Sequence, residues 1–283
     1  MSGWLFSLAA PERLTRLDAA VKRETLRAQG GVAQRYTPWL CAKRGPLVTH
    51  IPDGLVTERE HLLHIARLYS SEKDPLDLSR FKLRTPVRLR LDLGTDERAL
   101  FEEVFALVAR DERVFGPLFR ALIQNVVPLS GPRGEGFSER QRRLAFSSVL
   151  ARNAVFMVPH DGPYAALEMV VSLVHEMGHQ SLMLLQAVDP LFASAAEAPV
   201  YSAIMGIERP AILALHGAVA LAAMVRALQL GQAWPELTSA EAQAHIAKRT
   251  QQFRAALSET LRALGGCQLT RLGKEVFEEL ASS

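Results

Sequence analysis

The sequence predicts a mainly α-helical protein with a small β-sheet, in which an H-E-x-x-H helix lies against a second apolar helix. Three observations predict it. Several long segments repeat their apolar residues every three to four positions, as Leu14, Leu17 and Val21 do, which is the period of a helix with one buried stripe. Only two short stretches read as strands. In Phe81–Leu93 the residues Val87, Leu89, Leu91 and Leu93 alternate with Arg88, Arg90 and Asp92, and Ala154–Val158 is a short apolar run. Finally, residues 164–188 and 211–229 are apolar over helical lengths, and the first contains His175-Glu176-Met177-Gly178-His179.

In chain order, Pro11 opens a helix that Gly30-Gly31 closes. Prolines and Trp39 make Tyr36–His50 irregular, and a second helix covers Thr57–Ser70. His61 and His64 on it lack ligand-spaced partners and read as surface or core histidines. Pro86 starts the first strand, where a missing N–H is tolerated. A helix capped by Thr95 or Asp96 runs to Arg110, and a shorter apolar segment spans Val114–Val127. Pro128–Ser138, rich in Pro, Gly and Ser, reads as a boundary or loop. It divides a helical N-terminal region with short strands (1–128) from a metal-binding region (139–283), the two making one compact unit. The second region begins with a basic helical start from Ser138. After the strand at Ala154, Asp161 is placed to cap the H-E-x-x-H helix and Pro163 to enter its first turn, and Asp189-Pro190 ends it. Thr238-Ser239-Ala240-Glu241 is a capping box for a helix through Leu264, stopped by Gly265-Gly266, and a short helix finishes the chain.

Composition bounds the function. With 283 residues, 48% of them hydrophobic, the chain can bury a sizeable core. Thirty-three basic and thirty acidic residues are interspersed, for a net charge of +3, so no nucleic-acid-binding surface is implied. No run reads as a signal peptide or as an uninterrupted membrane span, and Cys41 and Cys267 have no metal-finger spacing. A cytoplasmic protein with reduced thiols and no membrane partner is expected.

The chemistry lies in the motif. Positions four apart share one helical face, so His175 and His179 can aim two imidazoles at one ion with Glu176 beside them. Two rings and a carboxylate inside an apolar helix are costly unless something satisfies them. Two imidazoles need at least one further ligand. The metzincin continuation is absent, since Gln180-Ser181-Leu182-Met183-Leu184-Leu185-Gln186 follows His179. Glu197, Glu208 and His216 stand as downstream candidates. His216 is the most economical, because it sits on the second apolar helix beside Gly217. Glu176 could itself complete a two-histidine, one-carboxylate set.

The chain also resembles a family. His175-Glu176-Met177-Gly178-His179, Leu182, Asp189-Pro190-Leu191, Tyr201, Arg209-Pro210 and Leu215-His216-Gly217 occur in an order similar to the HEXXH-motif proteins of peptide natural-product clusters. Ser147-Ser148, Arg152, Val155–Val158 and Leu269-Thr270…Gly273 also fit, so the resemblance covers roughly residues 145–275. That family is associated with iron- and 2-oxoglutarate-dependent β-hydroxylation of peptides. The resemblance implies Fe(II) on His175, His179 and His216, with positions open for 2-oxoglutarate and O2. The far carboxylate of 2-oxoglutarate would then need an arginine fork, Arg209 first and Arg152 second, with Tyr201 assisting. The implied substrate is a peptide or amino-acid side chain, and a homodimer is compatible. Glu176 would orient a ligand, hold a water or complete the ligand set. The alternative is a zinc-dependent peptidase with Glu176 as general base. Gly178 keeps that alternative open, since zinc peptidases carry the same H-E-x-G-H form.

Overall fold

The computed structural model describes residues 5–7, 9–28, 36–41, 51–70, 74, 76–83, 87–131, 144–194 and 196–282. Among them are eight α-helices: α1 (Ala10–Ala28), α2 (Arg59–Tyr69), α3 (Thr95–Arg110), α4 (Phe115–Leu122), α5 (Ala165–Gln186), α6 (Ala211–Gly231), α7 (Ala240–Leu264) and α8 (Arg271–Ala281). Five strands form a mixed sheet: β1 (Gly54–Leu55), β2 (Arg88–Leu89), β3 (Asn125–Ser130), β4 (Ala145–Ser148) and β5 (Ala151–Met157). Its order is β1-β3-β5-β4, with β2 also pairing β3. A separate hairpin joins β6 (Pro199–Ser202) to β7 (Ile207–Pro210). The protein is mainly helical with a small mixed sheet, as the periodicities predict.

The sheet divides the core. Alternate residues of a strand point to opposite faces, so Val126, Val155 and Met157 join the large helical cluster, while Val127, Leu129, Ala154 and Phe156 meet Trp39, Tyr69 and Leu78 on the other side. Burial on both faces explains why β3 and β5 read as continuous apolar runs. The sheet draws β1, β2 and β3 from the first region of the chain and β4 and β5 from the second, so the two regions share it.

Several local expectations give way. The chain passes through Pro128 without a break, because β3 continues to Ser130 and aligns Pro128 with Met157. The Pro128 carbonyl accepts from Arg90 N–H at 3.1 Å, so the absent N–H faces the edge shared by two short strands, where it is tolerated. Gly30-Gly31, Pro86 and residues 132–143 lie outside the described residues. In place of a helix running on from Ser138, residues 145–148 form β4, a hairpin with β5 secured by the stacked rings of Phe146 and Phe156 at 4.7 Å. The first strand shrinks to Arg88–Leu89. Helix α3 is capped at Gly94, whose amide is taken by the Glu97 carboxylate, and α7 at Ser239, whose hydroxyl accepts from Ala242 N–H. Asp161 does not cap α5: the turn through Gly162 (φ 92°) moves its start to Ala165, whose N–H bonds the Gly162 carbonyl.

Helix α6 lies between α5 and α7. It is long and apolar enough to cross a membrane, with a mean hydropathy of 1.9, so the sequence reading missed a span-length run. Most of its apolar surface is used inside the protein, where Leu215, Val219, Leu221 and Leu228 are buried. A Cβ at Gly178 would touch Val219 Cγ1 at 3.4 Å and Ala220 Cα at 3.5 Å, so Gly178 makes room for α6. Gly217 faces Ile204 and Ser202 near the hairpin.

Beyond α5 the chain turns at Asp189. Its carboxylate accepts from Leu191 N–H at 2.6 Å and from Thr270 Oγ1 at 2.7 Å. Leu191 has φ 65°, and its carbonyl lies against Gly273, where a Cβ would come within 2.0 Å. The Asp189-Pro190-Leu191 and Leu269-Thr270…Gly273 segments therefore clasp α8 to the end of α5.

The helix contact at Gly178 is testable. Gly178→Ala should leave stability unchanged or raise it by up to about 1 kcal/mol, since helix propensity gains and the contact is ordinary. Gly178→Leu should lose about 1–3 kcal/mol through overpacking. Urea unfolding distinguishes them, and equal tolerance of both would show that α5 and α6 do not approach this closely.

Candidate metal centre

Helix α5 presents Glu168, Ser172, His175, Glu176 and His179 toward one side, at the three- and four-residue spacing of a single face. His175 Nε2 and His179 Nε2 lie 3.0 Å apart, and His175 Nε2 lies 3.7 Å from Glu176 Oε1. Ligand atoms of His175, Glu176 and His179 all fall within 4.8 Å of one another. No other His, Cys, Asp or Glu joins that group among the described residues. The 3.0 Å spacing suits two neighbouring ligands each about 2.1 Å from one ion, and without an ion it is the length of an N–H···N hydrogen bond. The donor set itself, two imidazoles and a carboxylate, fits a divalent transition metal.

The carboxylate is held by the sheet. Ser147 Oγ, on β4, donates to Glu176 Oε2 at 2.7 Å. A register shift between Ser147 and Ser148 accompanies Asn153 at φ 64°, a conformation asparagine tolerates better than most residues. The N–H of Asn153 reaches Gln180 Oε1 at 3.4 Å, and Gln180 Nε2 donates to the Ala154 carbonyl at 3.3 Å. Strand β5 and helix α5 are thereby tied one residue beyond His179.

Electrostatics follow from burial. Burial pushes the Glu176 carboxyl up to about 7, against the opposing hydrogen bond from Ser147. Burial, then the neighbouring His175, His216 and Arg209, holds His179 well below the ordinary imidazole value. His216 is lowered to about 4 by burial and Arg209. Both rings are neutral at physiological pH, the state in which imidazole binds a metal.

The structure separates the remaining candidates. His216 does not enter the group. Its Nδ1 lies 3.2 Å from His179 Nδ1, the ring nitrogen facing away from His175, and its Nε2 lies 2.7 Å from Gln186 Oε1. Glu197 and Glu208 are exposed. Arg209, on β7, is near enough for its charge to reach His179 and His216. Its register partner is Val200, whereas Tyr201 pairs with Glu208. Opposed residues of a hairpin share a face, so Tyr201, 40% exposed, points away from the side that Arg209 shares with Val200. Arg152 lies at a small crevice with Asp18, Asn153 and Gln180, apart from the histidines.

The chain matches no known family model and no curated protein. Function therefore rests on the site itself.

His175 and Glu176 line one wall of an open cleft of about 450 Å³. Glu168, His245 and Arg249, which also line it, were given no chemical role from sequence. Glu168 accepts from His245 Nε2 at 2.7 Å and from Arg249 Nη2 at 2.9 Å. Burial alone would raise Glu168, but the charge of Arg249 and these hydrogen bonds hold it below the ordinary carboxylate range. The Arg249 guanidinium lies 4.5 Å from the Phe253 ring, and His245 stacks on Tyr164 at 4.5 Å. One signal was available: Glu168 precedes His175 by two turns on the same face of an apolar helix, and such an acid requires a cation.

The raised Glu176 value gives a pH dependence. A carboxyl whose folded pKa lies above its ordinary 4.5 contributes stability that is complete below about pH 4.5 and lost as pH rises through about 7. In chelator-treated protein, wild type should therefore lose a few kcal/mol relative to Glu176→Gln between pH 4.5 and pH 8. Parallel stability curves for the two proteins would show that Glu176 is not held neutral by burial.

Proposed function

We propose that the chain is an oxygenase that uses Fe(II) and 2-oxoglutarate to hydroxylate a C–H bond of a peptide or amino-acid side chain. The observation that carries this reading is the composition of the site. Two imidazoles and one carboxylate gather with no further protein ligand among the described residues, and His175 and Glu176 line an open cleft. A two-histidine, one-carboxylate set with vacant positions is the arrangement of non-haem Fe(II) oxygenases, and the resemblance of residues 145–275 points the same way.

In this reading His175, His179 and Glu176 hold the ion. An ion held there would supply, with 2-oxoglutarate and O2, an oxidation in which the oxo acid loses CO2 and takes up one oxygen atom of O2 to become succinate, while the other oxygen atom enters the substrate C–H bond. The protein's own part is positional. Ser147 fixes the rotamer of Glu176. Among the described residues, Arg249 is the one arginine lining the cleft with His175 and Glu176. Glu168 and Phe253 hold its guanidinium in place before any ligand arrives, and a guanidinium is suited to a planar carboxylate. Arg249 is thus preferred to Arg209 as the anchor for the far carboxylate of the oxo acid. The cleft volume is in the range of small-molecule sites and has room for an oxo acid with one side chain.

A second reading is favoured by one observation. A Glu176 carboxyl near 7 is suited to take a proton at neutral pH, the task of the glutamate in a zinc-dependent peptidase. That reading needs a third protein ligand other than Glu176.

The test is anaerobic loading of the purified protein with Fe(II), then addition of O2 and 2-oxoglutarate and measurement of succinate. Succinate that depends on iron and oxygen is expected. Peptide cleavage with zinc, and none of this succinate with iron, would establish the hydrolase instead. Arg249→Ala should raise the 2-oxoglutarate concentration for half-maximal rate about 10–100-fold, the loss of a charge-assisted pair. An unchanged requirement would return the anchoring role to Arg209.

A further inference from the structure

We infer that His216 and Gln186 form a positioning relay that fixes the tautomer and orientation of His179, His216 standing behind the ligand rather than binding the ion. The inference rests on the metal reading of His175, Glu176 and His179. Its basis is a chain of two contacts joining three residues. Gln186 follows His179 by seven residues on α5, two turns along the same face. His216, from α6, fits between them, touching Gln186 Oε1 through Nε2 at 2.7 Å and His179 Nδ1 through Nδ1 at 3.2 Å.

Donor and acceptor roles follow in sequence. A carboxamide oxygen only accepts, so His216 Nε2 carries the hydrogen. A neutral imidazole has one N–H, which leaves His216 Nδ1 as an acceptor. His179 Nδ1 must then donate to it, and His179 Nε2 is left with a bare lone pair directed at His175 Nε2, 3.0 Å away. That is the tautomer a metal ligand needs at this nitrogen. The two nitrogens of one ring face opposite ways, so the neighbour of His179 Nδ1 does not share an ion bound at Nε2. Metal-bound histidines commonly donate their second N–H to such a partner, and losing the partner costs about 10–100-fold in affinity. Here the partner is a second histidine, itself oriented by an amide.

The test uses the full chain and Co(II) alone as probe, with affinity from chelator competition and the ligand set from visible and X-ray absorption spectra. Wild type should bind one ion through two imidazoles. Gln186→Ala and His216→Leu should each weaken binding about 10–100-fold with unchanged stoichiometry and spectrum. His216→Asn should stay within a few-fold of wild type, because its carboxamide oxygen accepts the same hydrogen. Gln186 is partly exposed, so Gln186→Ala keeps the test informative if His216→Leu does not fold, as judged by circular dichroism. Three imidazoles in wild type, or an altered spectrum in His216→Asn with binding lost as fully as in His216→Leu, would make His216 a ligand and overturn the relay. Wild-type affinity in Gln186→Ala and His216→Leu would overturn it as well. Failure of the wild-type chain to take up one ion would remove the metal reading itself, and the relay with it.

Discussion

The structure depends on satisfying a few polar groups inside a pair of apolar helices. Helices α5 and α6 are among the most buried elements of the fold, yet they carry Glu168, His175, Glu176, His179 and His216. Each of these groups is costly in such surroundings unless it is hydrogen-bonded or bound to an ion. The neighbouring elements answer that demand one by one. Strand β4 brings Ser147 to Glu176, α7 brings His245 and Arg249 to Glu168, and Gln186 at the end of α5 reaches His216. Sheet, hairpin and α7 are thus arranged around two helices that could not bury these side chains alone.

The helical part of this plan was legible in the sequence because burial leaves a period of 3.6 in the residue pattern. Helices α5, α6 and α7 lie close to where the apolar stripes and the Ser239 region predict them. Strand β4 was not legible: it is four residues long, and its identity depends on pairing with β5 rather than on any pattern of its own. Pro128 misled for the same reason, since what it lacks matters only once its neighbouring strands are known. Helix starts were misread wherever the cap lies in a turn geometry that composition does not reveal, as at Gly94 and Tyr164.

The site divides similarly. Spacing alone identifies His175, Glu176 and His179, because i, i+4 geometry needs no knowledge of the rest of the chain. The same spacing does not say which nitrogen of His179 a distant histidine will meet, and in the structure His216 meets Nδ1 while His175 meets Nε2. Arg249 escaped notice because it lies 70 residues beyond the motif, on a helix whose charged residues are mostly solvated. Asp189 and Thr270 show the converse, a pair whose hydrogen bond joins α5 to α8 and which needs no chemical role to explain its presence.

The floor of the cleft has a further consequence. Glu168, which seats Arg249, and His175 are carried by one unbroken helix, separated by seven residues and so by about 10 Å of axial rise. Movements of loops around the cleft leave that separation unchanged. Helix α5 therefore acts as a ruler between the His175 and Glu176 end and the guanidinium end, and a ligand that engaged both would be selected by chain length as well as by charge. Competition among dicarboxylates of four, five and six carbons reads the ruler directly, and indifference to their length would show that the two ends are not engaged together.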